Sequence, residues 1–323
     1  MKGLVIGFIL VIGLAYGGAK AYIHYKVSDG VDAAVIGMEP YAKLEYGGIS
    51  STLTGELTLD DVKIQVKGFS DNIVIGRLGV DTPNFLSLLK LGDMSGGSQP
   101  FDSGPPEYFG IIAENIKVPT SADYYRVIYD QNIERLAPAD IRQRGVQCVG
   151  KYGFSPRTLA ALGYDELIIS TAFTLRQAET YFITEINFDV VDMIDVEIEA
   201  SVVGDLMSGA AMGASYQPRM RALQIEITDQ SLNKRVEKYC TELGLTPEQI
   251  LRAHLNALQY FGQQNGIEFD KYVTDPYREY LAGKSRLIVT ARPRKPLDLA
   301  RIKKYKPIDV PALLNLEAAA QGN

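Results

Sequence analysis

Few side chains in this sequence could do chemistry, and their spacing excludes more than it offers. There are two histidines, His24 and His254. A histidine-based zinc site needs a second nitrogen or sulfur ligand nearby, and an acyl-transfer triad needs a histidine between a nucleophile and a carboxylate. His24 sits at the edge of an apolar N-terminal stretch, which leaves His254 alone in the body of the chain. It lies within a helical pattern, where a surface or core-edge position is the ordinary reading. The motifs G-x-S-x-G, H-E-x-x-H, G-x-G-x-x-G and the P-loop are absent. Carboxylates are plentiful, so an acid pair of the glycosidase kind stays open on numbers alone. Most of them alternate along strands, where solvation explains them, and the absence of Trp counts against an indole-lined sugar cleft. No catalytic, cofactor-binding or metal-ligating residue can be assigned, and no cofactor is expected. The chain reads as non-enzymatic, with a periplasmic carboxylate-based hydrolase the least favoured alternative.

Two other groups of residues carry chemical potential. Cys148 and Cys240 are the two cysteines. With no CxxC and no Cys/His cluster around either, they read as a disulfide in an oxidising compartment or as two separate buried thiols. Between Lys284 and Lys306 nine Lys and Arg face one acid, Asp298, in a chain whose net charge is −6. That segment, with Arg292, Arg294, Lys295, Arg301, Lys303, Lys304 and Lys306, is a solvated basic face or a patch for anionic lipid headgroups. The acidic balance of the whole excludes a nucleic-acid binder, which needs clustered cations throughout its contact surface.

The elements that must position these residues begin with an apolar run. Gly3 to Ala19 reads GLVIGFILVIGLAYGGA without a charge, just long enough to span a bilayer as a helix. Tyr16, Tyr22 and Tyr25 suit the interface. An uncleaved signal anchor is favoured over a cleaved signal peptide, because helical spacing continues from Tyr22 to Met38. After Pro40 the period changes from 3.6 to 2. Strands are expected over 44–51, 53–66, 72–80, 108–118, 166–176, 180–190, 193–203, 219–229 and 286–290, with a bulge at Asp60-Asp61. Helices are expected over 82–91, from Ser121 or Asp123 to about 136, in SPRTLAALG, over 231–243, over 246–261 behind a Thr-Pro-Glu-Gln start, over 276–282, and in a terminal LLNLEAAA. The stretch 92–107 reads as a loop and 204–215 as a hairpin tip.

The apolar partners alternate on one face: Val62, Ile64 and Val66 in the first half, and Ile194, Val196 and Ile198 in the second. The order of features resembles bacterial inner-membrane-anchored periplasmic proteins of the AsmA-like and YdgA-like kind. The residues carrying the likeness are the anchor, YAKLEYGGISSTLTGELTLDDVKI (41–64), LGYDELIISTAFTL (162–175) and DQSLNKRVEKY (229–239). The resemblance implies a twisted sheet or groove in the periplasm with a role in handling envelope lipid, although AsmA-like chains are commonly much longer. The expected fold class is α+β: an N-terminal transmembrane helix, then a mainly antiparallel twisted sheet with helices packed on one face. The expected organisation is an anchor (1–25), a helical linker (26–40), a first β-rich half (41–144) and a second α+β half (145–323). The expected function is an anchored inner-membrane envelope protein that binds lipid or another envelope protein through an apolar sheet face. A scaffold without ligand is the alternative.

Overall fold

The computed structural model describes residues 24–25, 28–33, 35–92, 107–127, 155–203 and 219–322. Among these, twelve strands form one antiparallel sheet. They are β1 (Ala42–Glu45), β2 (Gly48–Ser51), β3 (Glu56–Val66), β4 (Asn72–Asp81), β5 (Tyr108–Pro119), β6 (Glu166–Gln177), β7 (Phe182–Val190), β8 (Ile194–Val203), β9 (Arg219–Asp229), β10 (Arg286–Ala291), β11 (Leu297–Asp298) and β12 (Leu316–Gln321). The path runs β1-β3-β4-β5-β6-β7-β8-β9-β10-β12, with β2 on β3 and β11 on β9. Neighbours in sequence are thus neighbours in space from β3 to β10. That is what local hairpin closure favours over distant pairing.

This corrects the expected α+β class. The sheet is one continuous antiparallel layer and the helices are few: α1 (Phe85–Gly92), α2 (Pro156–Ala161), α3 (Leu232–Glu242), α4 (Pro247–Gln264), α5 (Lys271–Leu281) and α6 (Val310–Leu314). The transmembrane helix written into that class finds no counterpart, since no described helix is long and apolar enough to cross a membrane. Its expected span, 3–19, lies outside the described residues, as do the loop at 93–106, most of the helix expected to 136, and the hairpin tip at 204–215.

Strand pairing sorts the side chains, because directly opposed residues share a face. One row on the apolar face runs Val80, Ile111, Phe173, Ile186, Ile198, Ile225, Val289, Ala318. The next runs Leu59, Leu78, Ala113, Thr171, Phe188, Val196, Ile227, Leu287, Ala320. The other face carries rows such as Thr174, Glu185, Glu199, Gln224, Thr290, Glu317.

A crease crosses the first strands. Asp61 and Asn115 have left-handed φ of 52° and 56°, and both stand level with Gly76 in β4. A side chain at Gly76 would meet Asn115 Cβ at 3.0 Å, a contact that Asn115 would have to give way to. Asp60 and Asp61 both turn outward, which keeps Leu59 and Val62 on the apolar face. Asn115 is the extra residue of a bulge against β6, and its N–H donates to Ser170 Oγ at 3.2 Å.

The apolar face is covered at its ends. Val62, fully buried, Leu59, Ile75 and Ala113 form one cluster with Val31, Leu44 and Ile64. At the β7–β8 turn, Leu159 of α2, Leu162 just past its end, Val236 and Cys240 of α3 and Ile250 of α4 close over Val190 and Met193. A third cluster joins Met220, Ala291, Val310 and Leu314, and α5 packs on β10 and β12.

Candidate functional site

Between these covered ends no described helix packs over the apolar rows Ile111, Phe173, Ile186, Ile198 and Ile225. Ile111 and Phe188 are 39% and 38% exposed, and Phe173, Ile186, Val196, Ile198 and Ile225 between them are half-buried. The trough spans β5 to β9, four strand spacings or about 19 Å. Its floor presents side-chain carbon, with Thr171 as the hydroxyl-bearing member of these two rows. Thr171 Oγ1 is turned away, donating to Asn187 O at 2.9 Å.

The six residues expected on an apolar face divide between two environments. Val62 and its half-buried neighbours Ile64 and Val66 lie on the filled side, where Ile64 packs against the Val62 cluster. Ile194 packs against the cluster under α2 and α3, and Val196 and Ile198 floor the trough. Pairing brings Val196 and Ile198 together with Phe188 and Ile186, and the latter two were not singled out by alternation in β8 alone.

The opposite face is acidic. Glu185, Glu197, Glu199 and Glu226 surround a shallow depression with Asn187 and Gln224. Two of the four are neutralised: Arg176 bonds Glu185 at 3.1 Å and Arg286 pairs with Glu226. Asp195, beside them, is held above the usual carboxylate range by burial and by its neighbours Asp189 and Glu226. Among the described residues no group of His, Cys, Asp and Glu could hold a metal ion.

A small pocket of about 180 Å³ lies among α3, α4 and α5, lined by Asn233, Glu237, Ile250, His254 and Arg278 among others. The Thr246-Pro247 start fixes α4 through a complete capping box and places His254 against α5. There Tyr277 Oη lies 3.4 Å from His254 Nδ1. Burial pushes the imidazole down to about 4, so it is neutral at pH 7, and pushes the Tyr277 hydroxyl up. His254 is therefore a buried core-edge group whose described side-chain neighbour is the Tyr277 hydroxyl.

Of the basic segment, Arg292 and Arg294 line a third pocket, joined by Arg221 from β9. Arg301 is bonded to Asp298 at 2.9 Å. Lys295, Lys304 and Lys306 are exposed, and the side chain of Lys303 is outside the described set. Cys240 is fully buried and disulfide-bonded, and Cys148 lies outside the described residues.

A family model described as "Uncharacterized protein" matches residues 169–321, from within β6 to the end of β12. It takes in β7 to β10, all of the helices α3 to α6, and the three pockets, and leaves β1 to β5 outside. Comparison with curated proteins gave no match.

Proposed function

We propose that this protein is a non-enzymatic binding module of the bacterial envelope, whose open apolar trough takes the acyl chain of a lipid. The observation that carries the reading is the half-exposed row Ile111, Phe173, Ile186, Ile198, Ile225 with Phe188 beside it. Contiguous apolar surface of this kind is kept from water on most monomers and marks binding sites where it is not. An alkyl chain asks for no hydrogen bonds, and the floor offers next to none. The disulfide-bonded Cys240 supports an extracytoplasmic compartment such as the periplasm.

Native mass spectrometry of the purified full chain tests the reading directly. A retained lipid mass is expected, and Phe188→Asp and Ile198→Asp should fold with an unchanged circular dichroism spectrum while losing it. A wild-type chain that carries no lipid, or folded variants that carry as much as the wild type, would sink the proposal in favour of a scaffold role.

A further inference from the structure

The polar face holds a second, chemically different site at the end of the sheet where β9 begins and β10 ends. Arg221, Arg292 and Arg294 line one open pocket of about 470 Å³, with Val203, Ala222 and two prolines. Three separate features of the chain bring them there. β9 carries one residue more than β8 between the pairs Ser201–Ala222 and Val202–Met220, and Arg221 is that residue. Bulges of this kind re-aim a side chain. The Arg221 guanidinium then lies over the Tyr181 ring, 4.5 Å from its centroid, which fixes the plane of its fork. Arg292 and Arg294 flank Pro293, with Pro296 closing the loop, so the backbone that carries them has little freedom to lose on binding.

The charge balance gives these arginines a purpose. Three cations share one pocket in a chain of net charge −6, on a face whose neighbouring rows are acidic. Among the described residues no carboxylate lines the pocket and none is ion-paired with any of the three. Contrast Arg176, Arg286 and Arg301, each of which has its own acid. Cations that repel one another and are kept clear of available carboxylates suit an anion supplied from outside. The planar guanidinium matches phosphate oxygens two at a time. The pocket is also many times the roughly 30 Å³ that one water occupies, which leaves room for more than a single phosphoryl group.

We propose that Arg221, Arg292 and Arg294 form a binding site for a phosphate-bearing anion, either a soluble phosphate ester or a phospholipid headgroup. The site is on the face opposite the trough, and its proposal does not depend on the trough's occupant.

Calorimetric titration of the full chain with sodium pyrophosphate at low salt, and flotation with vesicles of phosphatidylglycerol in phosphatidylcholine, test the two sources. Binding in at least one arm is expected. The double variant Arg221→Ala/Arg294→Ala, with its fold checked by thermal melting, should weaken that binding about a hundredfold, roughly tenfold for each charged bonding group removed. Lys304→Ala/Lys306→Ala removes the same charge outside the pocket and should change affinity less than about threefold, as befits exposed charges. Pyrophosphate binding assigns a soluble source, and flotation without it assigns the headgroup. No binding in either arm, or equal loss in the two double variants, would overturn the site in favour of a diffuse basic surface.

Discussion

A single residue on the apolar face behaves according to what covers it. Val62 is fully buried and Phe188 is 38% exposed, although pairing and alternation place both on the same face. Val62→Asp should therefore abolish cooperative unfolding, since an unpaired buried carboxylate costs more than a domain's margin. Phe188→Asp should leave a normal urea transition. Alternation alone is blind to this difference, because it reports which face a residue takes and not what lies over it. His254 makes the same point from another side. Its position within a helix was legible, but its depth against Tyr277 depends on α5, whose start the sequence hides. Because the folded imidazole titrates at about 4 and the unfolded one near 6.5, the unfolded chain binds the extra proton between those values. Stability attached to His254 is complete above pH 6.5 and is lost as pH falls through 6.5 towards 4, on the order of 3 kcal/mol in total. Urea midpoints at pH 7.5 and pH 4.5 should differ by less in His254→Leu than in the wild type.

Strands were the most legible elements, since β6 to β9 fall within two residues of where alternation places them. Two other readings failed for physical reasons. The terminal LEAAA has the composition of a helix, yet Asn315 at φ 47° ends α6 and Leu316–Gln321 pairs with β10 as a strand. The open edge of β10 overrides propensity there. The other failure was α5, expected to open at Pro276, which begins at Lys271 behind Asp270, whose carboxylate accepts the Tyr272 N–H at 2.9 Å. Pro276 is carried inside. The α4 start, by contrast, was fully written in Thr246-Pro247-Glu248-Gln249, and Thr246→Ala should cost about 1 kcal/mol in chemical denaturation. The crease was only half visible. Asp60-Asp61 announces it in β3, whereas its partners Gly76 and Asn115 become meaningful only once register is known. Gly76→Ala should destabilise by about 1–3 kcal/mol through crowding against Asn115. An Asn115→Gly background should shrink that penalty, a coupling that a double-mutant cycle measures.

At the level of the molecule, the continuity of the sheet is what the sequence could not show. The arginine pocket needs strands 70 residues apart in sequence, and the trough needs five strands side by side. The matched segment begins inside β6, but that strand is paired along its length with β5. A fragment of residues 155–322 should therefore expose a long, unpaired apolar edge and aggregate, unlike the full chain under the same reducing buffer, when both are run on size exclusion. If Cys148 is the partner of Cys240, the bond closes a loop of about 90 residues and contributes roughly 4–5 kcal/mol; alkylation of the unreduced, unfolded chain should then modify neither thiol. The openness of the sheet has a further geometric result. Ten strands follow one another from β1 to β12 without closing, and each step rotates the strand direction by about 20–25°. Nine steps amount to about half a turn. β3 and β10 are seven of these steps apart, so at this average twist their apolar surfaces face well away from one another, like the two ends of a propeller blade. The chain around Val31 and α1 shields the β3 end, whereas α2, α3 and α4 shield only the ends of the middle strands, at Ile169, Val190 and Ile194. Coverage therefore comes as separate clusters, and the apolar rows between them across β5 to β9 follow the twist of the strands.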